Sequence, residues 1–297
     1  MPQVTANGIA IEYDERGAGE PLLLIMGLGA QMTRWPEGFC DRLAARGFRV
    51  IRFDNRDVGL SETFDAAGPA DMAAALTAFV SGQAVPSAYT LDDMARDAVG
   101  VLDALKIDRA HIVGASMGGM IAQLVAADFP ERTLSLTSIM STTGNRALPP
   151  GTPEAMAALS TPAPNPNEDF EAFLAHGVQM GHVVGSPGHI DEAALRERIA
   201  GDFNRAYTPA GFLRQYVGVL ASPDRRPKLA GVKAPTVVIH GEVDPLVPLA
   251  GGKDTAENIP GAELLVIPGM GHDVPTVFWD TIVEAIAKVA GRAKADA

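Results

Sequence analysis

One cysteine, Cys40, stands in 297 residues, so no disulfide can form within the chain. Its neighbours Phe39 and Leu43 lie in a helical pattern, where a buried structural thiol is expected rather than a reactive one. Positive charge is also scarce: 24 Lys and Arg face 36 Asp and Glu, giving a net charge of −12. No basic run exceeds Arg225-Arg226, which argues against nucleic acid and anionic membranes as partners. No apolar run is long enough to span a bilayer. Residues Met1 to Asp14 lack a basic region followed by an apolar stretch, so no secretory signal is expected and a cytoplasmic location is the default. No His-x-x-x-His or paired His/Asp spacing suggests a metal site, and internal repeats are absent. Apolar residues, by contrast, make up 47% of the chain, enough for one large α/β domain or a domain with an insertion.

Strands and helices alternate through the first half. Residues 4–13 read as two short strands around Asn7-Gly8, a hairpin signal. The run 21–26 is continuously apolar, as in a strand covered on both faces. A helix over 33–46 and a strand over 49–53 follow. A helical spacing spans 89–106, with Thr90 as N-cap and Asp93 three positions on. Strands are expected at 110–113, 133–140, 235–240 and 262–267, with a last helix over 274–289. Between Ser141 and Gly231 the texture changes. Proline-rich breakers separate helical patterns near 168–180, 191–203 and 209–221, and no strand is convincing. About ninety residues is too long for a structureless loop, so a helical insertion is expected. The alternation elsewhere implies a mainly parallel sheet with helices on both faces.

Ser116 is the most informative residue. An apolar strand run meets Gly114-Ala115-Ser116-Met117-Gly118, and a small-residue helix follows. G-x-S-x-G between strand and helix is the setting of a nucleophile elbow, which lifts a serine hydroxyl above the sheet. Gly114 and Gly118 suit such a turn because a Cβ would crowd it. The helix N-terminus favours negative charge beside that oxygen. A serine hydroxyl needs a base, and the base needs an orienting carboxylate.

Among six histidines, His272 follows Ile267-Pro268-Gly269-Met270-Gly271, just past a strand's C-terminal end, where catalytic groups gather in open α/β sheets. His240 ends the preceding strand and reads as a supporting residue. His111 starts the elbow strand, at the wrong end of the sheet. His176, His182 and His189 lie in the insertion, where exposed or capping roles are expected. Asp244 follows the 235–240 strand by a few residues and is the expected acid. Its rivals are Glu242, which is closer to the strand end, and Asp273, which would have to fold back on its neighbour. The oxyanion needs preorganised N–H donors. Met117 supplies one, and the turn Met26-Gly27-Leu28-Gly29-Ala30 the other. Leu28 is the choice there, with Gly27 or Gly29 as alternatives.

On these residues the chain resembles the α/β-hydrolase superfamily over essentially its whole length. The matching pieces are residues 22–29, the stretch Phe53-Asp54-Asn55-Arg56-Asp57-Val58-Gly59-Leu60-Ser61, the elbow, and the Asp244 and His272 loops. Ser116, Asp244, His272 is the triad order of that superfamily. The resemblance implies a mainly parallel central sheet flanked by helices, with a helical cap inserted after the sixth strand. Core residues 1–141 and 231–297 would enclose a cap of 142–230. One departure is Met26-Gly27, where relatives usually have His-Gly; a side-chain brace is lost and the backbone donor kept. Within the superfamily the chain is most similar to the aclacinomycin methylesterase type, through Met26-Gly27, the Asp54 to Ser61 motif and the His272 loop. Asp57 stands where many relatives have glycine, and Arg56 and Asp57 are expected to brace the loop near the oxyanion turn.

The activity expected is hydrolysis of small to medium apolar carboxylic esters through an acyl-enzyme, with no metal or organic cofactor. The partner is a small-molecule ester, and the oligomeric state is left open. The insertion would supply an apolar pocket, for which Met117, Met120, Met156, Met180 and Met270 suit an adaptable lining, although at least half would be ordinary core. The same triad also serves perhydrolysis, as in cofactor-free haloperoxidases, or lactone hydrolysis. A ligand receptor on this fold is a reading of a different class. Dehalogenase chemistry is disfavoured, because it needs a carboxylate where Ser116 stands.

Overall fold

The computed structural model describes residues 2–295. Eight strands form one sheet in the order β1-β2-β4-β3-β5-β6-β7-β8. They are β1 (Gln3–Ala6), β2 (Ile9–Arg16), β3 (Glu20–Ile25), β4 (Phe48–Phe53), β5 (Ala110–Ala115), β6 (Thr133–Ile139), β7 (Thr236–Gly241) and β8 (Glu263–Ile267). Only β2 runs antiparallel to its neighbours, against β1 and β4; every other pairing is parallel. The β1–β2 hairpin turns at Asn7 and Gly8, both at positive φ (51° and 81°), as a tight hairpin of right-handed twist requires.

The helices are α1 (Glu37–Ala45), α2 (Met72–Val80), α3 (Leu91–Ala104), α4 (Met117–Asp128), α5 (Pro153–Ser160), α6 (Phe170–Val184), α7 (Glu192–Arg205), α8 (Pro209–Ala221), α9 (Arg226–Leu229), α10 (Leu249–Asn258) and α11 (Trp279–Ala295). Alternate residues of β3 explain its unbroken apolar run. Leu23 and Ile25 pack with α3 and α4 on one face, while Leu22 and Leu24 pack with α1 and α11 on the other. The expected N-cap is present and forms a capping box: Thr90 and Asp93 each accept from the other's backbone at the start of α3.

Prolines shift two expected helix starts. Pro36 is the N-cap of α1, so residues 33–46 form a short 3₁₀ turn followed by a nine-residue helix. Pro275 likewise precedes a 3₁₀ turn before α11. Cys40 is buried in α1, and burial pushes its thiol up to about 11, consistent with an inert group.

Between β6 and β7 the described residues hold α5 to α9 and no strand. Leu174, Leu195 and Ile199 of α6 and α7 make a small apolar cluster of their own. Val217 and Leu220 of α8 make another with Ala75 of α2. By contrast, Leu229 of α9 packs into the main core.

Candidate active site

Ser116 is the hinge between β5 and α4, with φ 55° and ψ −122°. A non-glycine residue there is strained, and the surroundings hold it. Its N–H donates to Ile139 O (2.9 Å), and its carbonyl accepts from Ser141 Oγ (2.8 Å). The flanking glycines are required by contact. A Cβ on Gly114 would lie 2.0 Å from Gly118 O, and one on Gly118 would lie 2.1 Å from Ile25 O. The turn is thus clamped between β3 and its own helix.

Three elements bring the expected residues together. Ser116 Oγ lies 2.9 Å from His272 Nε2, and His272 Nδ1 lies 2.7 Å from Asp244 Oδ2. An ionised aspartate only accepts, so Nδ1 carries the proton and Nε2 is left to accept from the serine hydroxyl. Asp244 Oδ1 is occupied by the N–H groups of Leu246 (2.9 Å) and Val247 (2.8 Å), which leaves Oδ2 to the histidine. Glu242 is exposed on the surface. Asp273 does not fold back on His272 but accepts from the Ser186 N–H and hydroxyl; burial pushes its carboxyl up, against those hydrogen bonds.

The His272 loop is seated on the end of α6. His272 N–H donates to Val184 O (2.7 Å), and Gly271 N–H to Ser186 Oγ (2.9 Å). His240 is buried behind Asp244, with Nε2 3.7 Å from Asp244 Oδ2 and 2.7 Å from the Val247 carbonyl. Burial lowers its pKa, disfavouring the charged form.

The turn after β3 passes directly over the serine: a Cβ on Gly27 would lie 3.1 Å from Ser116 Cβ. Met117 is the first residue of α4, so its N–H has no acceptor within the helix. Of the three donors considered in the turn, Gly29 N–H is already committed to Gln215 Oε1 at 2.8 Å, which narrows the choice to Leu28 or Gly27.

A cavity of about 470 Å³ opens beside His272, between α6, α7 and the loop after β8. Phe173, Met180, Ile190 and Leu195 line it together with His176, His189, Arg198 and Asp273, so apolar walls carry several polar and charged groups. Of the five methionines considered, Met180 reaches this cavity, whereas Met117, Met120 and Met270 are packed in the core. Among the described residues, no group of three or more His, Cys, Asp or Glu is arranged to hold a metal ion.

The alpha/beta hydrolase fold family matches residues 20–276. The chain belongs to this family. It is 30% identical to the rhodomycin D methylesterase of Streptomyces peucetius over 289 residues, covering 91% of this chain and 90% of that enzyme. The α/β hydrolase Est816, described as an N-acyl homoserine lactone degrading enzyme, is 29% identical and superposes with a TM-score of 0.68 over 98% of this chain and 99% of its own. An enol-lactonase from Burkholderia xenovorans has the same fold at 22% identity, with a TM-score of 0.72 over 97% and 99% of the two chains. This α/β hydrolase is therefore a member of a hydrolase family with methylesterase relatives.

Several site neighbours escaped sequence reasoning. Arg214 and Gln215 of α8, Arg205 of α7 and Ser186 all reach from the helical segment to the loops of the sheet. Arg56 is linked to the oxyanion turn through Gln215, which bonds both Arg56 O and Gly29 N–H. Arg56 is paired with buried Asp97 of α3, and Asp57 with Arg214. A signal was present in α8: Gly211, Arg214, Gln215 and Gly218 share one face by their spacing, a polar and small stripe in an otherwise apolar helix.

Proposed function

We propose that this α/β hydrolase is a serine carboxyl-ester hydrolase. The observation that carries this reading is the hydrogen-bonded chain from Ser116 Oγ through His272 to Asp244, at 2.9 and 2.7 Å, built on a strained elbow. In this reading Ser116 Oγ attacks the ester carbonyl while His272 Nε2 takes its proton. Asp244 stabilises the imidazolium through Nδ1–H. The N–H groups of Met117 and Leu28 hold the oxyanion, aided by the N-terminus of α4. His272 then protonates the leaving alcohol, and water activated by the same histidine clears the acyl-enzyme.

The helical segment of residues 142–230, chiefly α5 to α8, serves as a cap. The apolar cluster of its own that α6 and α7 share, and its seat on the His272 loop, support that role. The cavity beside His272 has a volume within the range of small-molecule sites and would hold part of the substrate. Its mixed lining suits an ester of a larger, partly polar acid with a small alcohol, in keeping with the methylesterase relatives. Lactones present the same carbonyl, and the 29% likeness to Est816 makes them the second substrate class to assay.

The test is turnover on a panel of methyl, aryl and lactone esters. Repeated cycling is expected, where a receptor would show about one event per chain. Ser116→Ala and His272→Ala should each lower kcat by several orders of magnitude, with the double variant little worse than either. Asp244→Asn should also lose most activity, by favouring the wrong tautomer. Near-normal turnover in Asp244→Asn alongside a dead Glu242→Gln would assign the acid to Glu242 instead.

A further inference from the structure

The turn of residues 26–30, Met-Gly-Leu-Gly-Ala, carries no side chain that can hold its own backbone by a strong hydrogen bond. Its one internal hydrogen bond is long, from Ala30 N–H to Gly27 O at 3.3 Å. A backbone donor aimed at a developing oxyanion must be fixed before the reaction. The fixing bonds therefore come from outside the turn. Asn55 Nδ2 donates to Met26 O at 2.9 Å on one side of Leu28. On the other, Gln215 Oε1 accepts from Gly29 N–H at 2.8 Å. The planar peptides Met26–Gly27 and Leu28–Gly29 are thus pinned, and the Gly27–Leu28 peptide between them, which carries the Leu28 N–H, has little freedom to rotate.

Gln215 is 0% exposed, and its second group is also matched: Nε2 donates to Arg56 O at 2.7 Å. A flipped amide would set oxygen against carbonyl and nitrogen against N–H, so the partners fix its orientation. Its helix is seated firmly. A Cβ on Gly211 would lie 1.9 Å from Asp57 O, so α8 touches that loop backbone to backbone. One residue before Gln215, Arg214 forks onto both oxygens of Asp57 at 2.7 and 2.9 Å. Phe212 lies against Gly29, whose Cβ would meet the ring at 2.4 Å.

We propose that Gln215 is a positioning residue for ester hydrolysis: from the helical segment, it sets the oxyanion turn of the sheet domain. The proposal rests on the reading of Leu28 as an oxyanion donor. It makes α8 part of the catalytic apparatus. Displacing α8 would loosen the oxyanion turn while leaving the Ser116–His272–Asp244 chain intact.

The experiment compares wild type with Gln215→Met, which keeps the length of the side chain and removes both hydrogen bonds. Steady-state hydrolysis of para-nitrophenyl acetate and the affinity for phenylboronic acid, whose boron mimics the tetrahedral intermediate on the serine, are measured well below the unfolding temperature. Loss of an oxyanion donor costs ~100- to 1,000-fold in kcat, so loosening one is expected to cost ~10- to 100-fold, with boronate affinity falling in parallel and KM within about threefold. The pH profile of kcat/KM should keep its wild-type inflection, because His272 is untouched. Wild-type kcat and boronate affinity in the folded variant would overturn the proposal, as would a loss accompanied by a shifted profile.

Gln215→Glu decides the matter if Gln215→Met does not fold. A protonated carboxyl offers both an acceptor for Gly29 and a donor for Arg56 O, whereas the ionised form offers no donor. Activity relative to wild type at the same pH should rise as the pH falls; a flat ratio overturns the proposal. Ser116→Ala run in parallel separates the two readings. If it keeps its activity, the serine-esterase reading falls and the proposal with it. If it is inactive while both Gln215 variants match wild type, only the proposal falls.

Discussion

At the scale of single residues, Ser116 holds a backbone conformation that L-residues avoid, with φ 55° and ψ −122°. Such strain costs about 1–3 kcal/mol and persists only where the surroundings enforce it. Glycine releases it, but ordinarily costs about 0.5–1 kcal/mol against alanine through the unfolded chain. Ser116→Gly should therefore be at least as stable as Ser116→Ala, as read from urea midpoints, although both lack the proposed nucleophile. A Ser116→Gly protein clearly less stable than Ser116→Ala would show that the elbow is not strained in solution.

His240 gives a second residue-scale expectation. It faces Asp244 and His272, and burial outweighs the attraction of Asp244, so its folded pKa lies below the ordinary 6.5. The unfolded chain then binds the extra proton first. Stability is fully present above pH 6.5 and is lost as the pH falls below it, approaching a slope of about 1.4 kcal/mol per pH unit from this one group. His240→Gln, which still offers a donor to the Val247 carbonyl, should flatten that slope between about pH 7 and pH 5. An unchanged slope in urea titrations would remove His240 as its source.

At the scale of elements, α8 joins the helical segment to the sheet through the Arg214–Asp57 pair, both members buried. Asp57 itself stands at φ 68° and also accepts from Tyr89 OH at 2.6 Å and Phe64 N–H at 2.7 Å. Removing one partner leaves an uncompensated buried charge. Arg214→Met should accordingly cost about 3–5 kcal/mol, and pairing it with Asp57→Asn should recover part of that loss. Strictly additive losses in the cycle would mean that the pair is not coupled.

Legibility in the sequence divides along the same line. The hairpin, the elbow, the N-cap of α3 and helices α6 to α8 were readable because local pattern and tertiary setting agree there. Ser116, His272 and Asp244 were readable because each follows a strand end within a short, glycine- or proline-marked loop. Helix α2 went unread, since its alanine-rich run buries only Ala75 and Ala78 and carries little periodic contrast. Gln215 and Arg214 were legible as a helix but not as contacts. Their partners, Gly29 and Asp57, lie more than 150 residues away, and local spacing carries no information about such pairs. The wall of the cavity was unreadable for the same reason, as it joins α6, α7 and the loop after β8.

At the scale of the whole molecule, the sheet covered on both faces supplies a rigid edge, and the loops beyond its C-terminal ends carry Ser116, Asp244 and His272. The helical segment has one small apolar cluster of its own and meets the loops of the sheet through several polar contacts: Arg214 on Asp57, Arg205 on Asp54, Gln215 on Gly29 and Ser186 on the His272 loop. Phe173 lies in an aromatic cluster with Phe170, Phe203 and Tyr207 and also lines the cavity. Phe173→Leu should therefore alter the ranking of esters by KM, while reactivity toward a small phosphonate that needs only Ser116 stays within about threefold. An unchanged ranking would place the substrate elsewhere.

The central claim is that Ser116 is the nucleophile of a hydrogen-bonded triad. The most direct measurement is intact-mass and peptide analysis after exposure to a fluorophosphonate. One adduct per chain is expected, on the peptide carrying Ser116, with labelling abolished in Ser116→Ala and strongly slowed in His272→Ala. Full-rate labelling on another residue, or none on a folded and active enzyme, would contradict it.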